Sequence, residues 1–189
     1  MDDSRADEYW EAARAAWDAG DFARAVEPME NLLRTRASTP ALWTMHADIL
    51  AILQRWSQAE AAATRALELD PDFVMAHACL GYMKLAQQRL EEAESHFRKA
   101  HALQPERPTT IYLVGAVLVK RGQFAESESW LRKAVALNPK YDEAYYQLGL
   151  ALDGQGRDDE AKDMYQKAIM LNPELLSANE SLGNKRLGQ

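Results

Sequence analysis

The side chains that could support catalysis or metal binding are few, and their spacing favours packing. The histidines are His46, His77, His96 and His101, and the one cysteine is Cys79. On a helix His77 and Cys79 point in different directions, because they are two residues apart, and His96 and His101, five apart, do not share a face well. We therefore predict no metal site, no nucleophilic cysteine and no cofactor.

Carboxylates are abundant but are not arranged for acid–base catalysis. The densest group is Asp158, Asp159, Glu160 and Asp163, at the start of a predicted helix, where negative charge interacts favourably with the helix dipole. The sequence contains no nucleophile elbow, zinc-binding helix motif or phosphate-binding loop. We predict no catalytic residues and a protein that is not an enzyme.

Composition narrows the class of protein further. The chain has 189 residues, 47% of them hydrophobic, which is enough for a packed core. A net charge of -7 argues against nucleic acid as a partner, and the longest apolar run, residues 111–119, is too short for membrane insertion. The acidic start has no hydrophobic stretch and the single cysteine excludes an internal disulfide, so we expect a cytoplasmic protein.

An internal repeat determines where all of these residues lie. Three residue types recur every 34 positions: prolines at Pro71, Pro105, Pro139 and Pro173, alanines at Ala66, Ala100, Ala134 and Ala168, and glycines at Gly81, Gly115, Gly149 and Gly183. The implied repeats are 6–39, 40–73, 74–107, 108–141 and 142–175. Residues 1–5 are expected to be disordered, and 176–189 to form a C-terminal capping helix and tail, with the helix over 176–187.

Each repeat contains the pattern of two amphipathic helices separated by a glycine-rich turn. Pro40 and Pro108 suit the first turn of a helix, and Thr39 is a predicted N-cap. Pro28 falls inside a predicted helix, where we expect a kink. Because no segment alternates with period two, the predicted fold is all-α.

This pattern resembles the tetratricopeptide repeat family. The best-matching repeat is the fifth, at Tyr145, Leu148, Gly149, Ala161, Tyr165, Ala168 and Pro173. The second repeat has His46 and Ala47 in place of Leu-Gly, and the first repeat is the weakest match. The resemblance implies a right-handed α-solenoid, a superhelix of antiparallel helix-turn-helix repeats, over residues 6–175.

In that family the first helix of each repeat lines a concave face. The matching positions in this sequence imply a partner-binding surface made of Trp10, Arg14, Trp17, Thr44, Asp48, Met75, Ala78, Tyr82, Tyr112, Ala116, Lys120, Tyr146 and Leu150. Family members that bind the acidic tails of chaperones have lysines, an asparagine and an arginine at these positions. Here those positions hold Trp10 with Arg14, Thr44 with Asp48, and Met75 with Cys79, which disfavours that type of co-chaperone.

The aromatic lining predicts a non-catalytic scaffold or adaptor that binds a peptide or helix of another protein. Three alternatives remain open: the lining residues pack only on one another, the chain self-assembles into a homo-oligomer, or it is an accessory subunit that recruits substrates for an enzyme. Charge is distributed unevenly, with 14 acidic and 7 basic residues in 1–73, 6 and 10 in 74–141, and 8 and 3 in 142–175. A partner or a second copy could recognise this pattern.

Overall fold

The structure, a computed structural model, describes residues 3–35 and 38–175, and these contain ten helices and no strand. In chain order the helices are α1 (Asp3–Asp18), α2 (Phe22–Leu33), α3 (Pro40–Ile52), α4 (Trp56–Leu69), α5 (Val74–Ala86), α6 (Leu90–Leu103), α7 (Pro108–Lys120), α8 (Phe124–Leu137), α9 (Asp142–Asp153) and α10 (Asp158–Leu171). The predicted all-α fold of helix-turn-helix repeats is confirmed.

The chain forms two compact units, Met1–Leu103 and Gln104–Gln189. In the N-terminal unit the helices pack as the pairs α1–α2, α3–α4 and α5–α6, with α2 against α3, α4 against α5, and α3 against α5. In the C-terminal unit the pairs are α7–α8 and α9–α10, with α8 against α9 and α7 against α9. The first helices α3 and α5 are therefore neighbours in the N-terminal unit, as α7 and α9 are in the C-terminal unit.

The helix bounds follow the 34-residue period closely. The first helices α3, α5, α7 and α9 begin at residues 40, 74, 108 and 142. Helix α1 begins at Asp3, ahead of residue 6, and α2 continues through Pro28 from Phe22 to Leu33. The predicted capping helix over 176–187 and the tail to residue 189 lie outside the described residues.

Local sequence explains where the helices start. The hydroxyl of Thr39 accepts a hydrogen bond from the Leu42 amide at 3.3 Å, as predicted for an N-cap. Pro40 and Pro108 occupy the first turns of α3 and α7, where a missing N–H removes no hydrogen bond from the helix. Asp21 caps α2 by accepting from the Arg24 amide at 3.1 Å.

The turn inside each repeat depends on one residue in the left-handed region. That residue is Gly20, Gln54, Gln88, Gly122 or Gly156, with φ between 57° and 73°. It closes the first helix with paired hydrogen bonds; in the second repeat the Gln54 amide donates to Ala51 at 2.9 Å and the Arg55 amide to Leu50 at 2.8 Å. Glycine adopts this φ at no steric cost, whereas glutamine at two of the five turns incurs a penalty of about 1 kcal/mol.

Close helix packing builds a separate core in each unit. In the N-terminal unit one apolar cluster extends from Ala13 in α1 to Met83 in α5. In the C-terminal unit Leu131, Leu148 and Tyr165 form the centre of another. Within each unit, repeats pack on one another because a single helix pair cannot bury its apolar face alone.

An ion-pair network around the buried Lys84 connects the second and third repeats. Glu60 of α4 accepts hydrogen bonds from Lys84 at 2.7 Å, Gln87 at 3.0 Å and Arg89 at 3.3 Å. The Lys84 side chain is only 7% exposed, so its charge depends on Glu60. Burial alone would raise the pKa of Glu60, but the hydrogen bonds from Lys84 and Gln87 outweigh burial and hold the pKa below its usual value.

The same network recurs 68 residues later in the C-terminal unit. Glu128 of α8 accepts from Gln155 at 2.9 Å and from Arg157 at 2.7 Å. Arg157 also binds Glu160, just as Arg89 binds Glu92. The lysine has no counterpart, because residue 152 is leucine, and Arg132 of α8 provides the additional donor at 2.8 Å. The pKa of Glu128 is likewise lowered, since these hydrogen bonds outweigh its burial.

The turn geometry generates a first prediction. Replacing the exposed Gln54 with glycine should raise the free energy of unfolding by about 0.5–1 kcal/mol, because it relieves a left-handed φ of 57°. Urea denaturation of wild type and variant measures the change. The reverse substitution, Gly122→Gln, is the matched control and should lower stability by about 1 kcal/mol. A destabilised Gln54→Gly variant would contradict this account of the turn.

The buried network generates a second prediction. Glu60→Gln should destabilise the protein by about 2–4 kcal/mol, because it leaves the Lys84 ammonium buried beside a neutral amide. The control Glu68→Gln, in a half-exposed pair with Arg65, should change stability by less than about 0.5 kcal/mol. Urea denaturation compares the two variants, and equal effects would refute the structural role of Glu60.

The network also predicts an acid dependence. The pKa of Glu60 in the folded state lies below the usual value of 4.5, so the stabilisation it provides is present above pH 4.5 and is lost as the pH falls through the folded-state pKa. Between neutral pH and pH 3 the wild type should therefore lose more stability than Glu60→Gln. Parallel losses in the two proteins would show that Glu60 is not responsible.

Candidate functional site

In the N-terminal unit the predicted surface residues differ in exposure. We call the solvent-facing side of α1, α3 and α5 the first-helix face. The predicted residues on it that are exposed are Arg14, Trp17, Met75 and Tyr82; those that are partly buried are Trp10, Asp48 and Ala78. Thr44 is buried and its hydroxyl donates to the Pro40 carbonyl of its own helix at 2.9 Å. Thr44 therefore contributes to packing.

The most exposed apolar side chains of this face lie on α5 and α3. Met75 and Tyr82 are 50% and 51% exposed and stand two helical turns apart on the same side of α5. The Tyr82 ring meets the buried Phe97 ring edge-on at 5.4 Å, which restricts its orientation. Ile52, at the end of α3 and outside the thirteen predicted residues, is 49% exposed. These three side chains form an apolar surface of a kind that marks binding sites.

A carboxylate and a thiol join α3 to α5 within this face. The Cys79 Sγ donates a hydrogen bond to Oδ1 of Asp48 at 2.9 Å. Burial and the neighbouring carboxylate raise the pKa of Cys79, so the thiol is protonated and acts as a donor, not as a nucleophile. Burial also raises the pKa of Asp48, and the thiol hydrogen bond only partly opposes that effect.

Helix α1 presents a smaller apolar area. Trp10 packs against the core cluster of the N-terminal unit. Trp17 is 36% exposed and its ring meets Phe22 edge-on at 5.3 Å. Arg14 pairs with Asp18 at 3.8 Å in an exposed geometry that adds little stability. On α1, therefore, only Trp17 combines an aromatic ring with substantial exposure.

In the C-terminal unit the predicted aromatic residues are more tightly packed. Tyr112 lies 4.9 Å from the ring of Tyr141, and Tyr146 lies 5.7 Å from the buried Tyr165. Tyr112, Ala116, Tyr146 and Leu150 are all partly buried, whereas Lys120 is exposed. Among the predicted residues, the largest exposed apolar side chains are therefore those of the N-terminal unit.

Two of the four histidines, His77 and His96, form a packing contact that sequence reasoning missed. His77 and His96 approach at 3.4 Å between their Nδ1 atoms, and His77 Nε2 lies 3.1 Å from the Pro71 carbonyl. Because a carbonyl can only accept, Nε2 carries the proton and Nδ1 of His77 accepts from His96. Burial, followed by the electrostatic effect of the adjacent His77 imidazole, lowers the pKa of His96. Within residues 3–35 and 38–175 no group of three or more potential ligands is placed to hold a metal ion.

The contacts that sequence reasoning missed join different residues on different repeats. Asp48 and Cys79 lie on first helices of successive repeats, 31 residues apart, and Glu60 and Arg89 are 29 apart. A search for identical residues at a 34-residue spacing cannot find pairs of different residues. The recurrence of Gln87, Arg89 and Glu92 as Gln155, Arg157 and Glu160, 68 residues on, is the signal that was available.

Comparisons with known proteins agree with this geometry. A family model described as tetratricopeptide repeat matches residues 11–56 and 44–108, a second with that description matches 142–175, and one described as TPR repeat matches 115–156. No curated protein matches the sequence. No helix in the described part of the chain has the length and apolar character needed to cross a membrane.

Solved structures share the fold at low sequence identity. MamA from Desulfovibrio magneticus RS-1 is 20% identical with a TM-score of 0.77, covering 90% of this chain and 96% of that one. TTC0263 from Thermus thermophilus, a thermophilic TPR protein, is 21% identical with a TM-score of 0.74, covering 91% and 94%. YrrB, described as a TPR protein with an unusual peptide-binding site, is 17% identical with a TM-score of 0.68, covering 93% and 90%.

The paired helices, the 34-residue period and the apolar first-helix face define an α-helical repeat protein of the protein-interaction scaffold type. The chain belongs to the tetratricopeptide repeat family. The resemblance inferred from Tyr145, Gly149 and the repeated prolines is thereby confirmed.

Proposed function

We propose that the protein is a non-catalytic, cytoplasmic adaptor that binds a peptide or helical segment of another protein on its first-helix face. The observation that carries the proposal is the half-exposure of Met75 and Tyr82 on one side of α5. Large apolar side chains held half in solvent lose favourable burial free energy unless a partner covers them.

The rigidity of this face supports the proposal. Tyr82 rests on Phe97, whose ring fills the space over Gly81, and Cys79 links α5 to Asp48 of α3. A surface whose side chains are already ordered has less entropy to lose on binding. Tyrosine also provides a large contact area at low entropic cost, which suits it to an interface.

A second candidate function is self-association, alone or within an enzyme complex that this chain would serve as an accessory subunit. Met170, near the end of α10, is 83% exposed and the adjacent Leu171 is 40% exposed. The charge excess also changes sign between residues 1–73 and 74–141, so that two copies offer each other complementary regions.

The adaptor proposal predicts that binding depends on α5. The double variant Met75→Ser, Tyr82→Ser should weaken binding of a purified partner by about 100-fold, because both apolar anchors are lost. Affinity capture with mass spectrometry identifies partners, and titration calorimetry with each purified partner measures the dissociation constant.

The matched control is Leu69→Ser, Leu137→Ser. These leucines are 45% and 47% exposed but lie at the ends of second helices, so binding should be unchanged. Circular dichroism and thermal unfolding verify that all variants fold. If the α5 variant retained wild-type affinity for every captured partner, the first-helix face would be excluded as the binding surface.

Self-association predicts a different pattern. Sedimentation equilibrium at rising protein concentration should show dimers that dissociate with added salt and in the variant Met170→Glu, whose new charge would be buried in the contact. A wild-type chain that remains strictly monomeric at about 1 mM would remove self-association as a function, since weaker contacts have no role at cellular concentrations.

A further inference from the structure

We propose that the first-helix face of α3 and α5 recognises a basic amphipathic segment, in which apolar side chains contact Met75, Tyr82 and Ile52 and a lysine or arginine reaches Asp48. This inference rests on the proposed adaptor function and specifies the chemistry of the partner. It is carried by three observations: the placement of the apolar side chains around Asp48, the incomplete hydrogen bonding of that carboxylate, and the charge of the surrounding surface.

The hydrogen bond between Asp48 and Cys79 sets the register of the two helices. Alternate helices of the array run in the same direction, so residues one turn beyond this bond lie level with each other. Ile52 is one turn after Asp48, and Tyr82 is about one turn after Cys79, while Met75 is one turn before it. The carboxylate therefore lies between Met75 on one side and Ile52 with Tyr82 on the other.

The Asp48 carboxylate accepts few hydrogen bonds for a charged group among apolar side chains. Its Oδ1 accepts from the Cys79 thiol, a weak donor, and no other donor from the described residues reaches the side chain. Asp48 is only partly buried, so part of the residue remains in contact with solvent. An incoming ammonium or guanidinium group would provide the missing charge-assisted hydrogen bond.

The surrounding charge favours a cation. Apart from histidines, the one basic residue of α3 and α5 is Lys84, which is buried and paired with Glu60. On α1 of the same compact unit four acidic residues are exposed, Asp7, Glu8, Glu11 and Asp18, against two basic ones, Arg5 and Arg14. The whole N-terminal unit, residues 1–103, carries 17 acidic and 11 basic side chains, so its field steers a basic segment toward this face and repels an acidic one.

The test uses the full-length chain and three synthetic 16-residue amphipathic helices. The peptides share one apolar stripe of leucine and tryptophan and differ only in their polar face, which carries lysine, glutamine or glutamate. Fluorescence anisotropy measures the dissociation constants at two salt concentrations. We expect the lysine peptide to bind about tenfold or more tighter than the glutamine peptide, with added salt reducing that difference, and the glutamate peptide to bind weakest.

Variants assign the charge effect to one residue. Asp48→Asn should weaken the lysine peptide about tenfold and leave the glutamine peptide unchanged, because only the charge is removed. Asp163→Asn, which removes an equally negative but exposed carboxylate from α10, is the matched control and should change neither affinity. Cys79→Ser keeps a donor for Asp48 and should keep the preference for lysine. Thermal unfolding verifies that each variant is folded.

The outcomes separate this inference from the adaptor function. Equal binding of all three peptides, a preference for glutamate, no binding, or an Asp48→Asn variant that behaves as wild type would each overturn the basic-segment assignment. None of these results affects the adaptor proposal if captured partners still require Met75 and Tyr82. If captured partners bind independently of Met75 and Tyr82, the adaptor surface itself is wrong, whatever the peptides do.

Discussion

The contact between a glycine of the first helix and a large side chain of the second determines the geometry of three repeats. A β-carbon added to Gly81 would lie 2.3 Å from Phe97, and one added to Gly149 would lie 2.4 Å from Tyr165. Both rings are buried, so neither can move aside without disturbing the core. The two helices of a repeat can approach closely because the glycine leaves this space for the ring. The orientation of Tyr82, which packs on the same Phe97, follows from that contact.

The fourth repeat has the same glycine contact, and the first two repeats have different residue sizes at the same two positions. In the fourth repeat the pair is Gly115 and Leu131, and an added β-carbon would lie 2.6 Å from the leucine. In the second repeat the equivalent residues are Ala47 and Ala63, both fully buried. In the first they are Ala13 and Met29, where a flexible side chain adapts to the larger partner. Where the first-helix residue is alanine instead of glycine, the second-helix residue that packs on it is small or flexible. The interior therefore stays close-packed in every repeat.

This explains what sequence alone could and could not predict. The 34-residue period and the all-α fold follow from residues repeated in register. The Thr39 cap and the helix starts at Pro40 and Pro108 follow from the local preferences of single residues, and the structure has all of these features. The hydrogen bond from Cys79 to Asp48 and the cluster around Glu60 join different residues of different repeats. The 34-residue period does not predict such pairs, because whether they form depends on the distance between the packed helices.

Comparing the half-buried carboxylates distinguishes structural from functional roles. Glu60 accepts hydrogen bonds from Lys84, Gln87 and Arg89, and Glu128 likewise has three donors. Hydrogen bonds within the chain therefore satisfy both charges. Asp48 has only the Cys79 thiol, and the apolar side chains beside it are half exposed. A carboxylate retained for stability alone would be expected to gain donors as Glu60 does, since an undersatisfied charge lowers stability. Asp48 is thus suited to a donor that comes from another molecule, and the exposed apolar side chains and acidic charge around it favour such a partner.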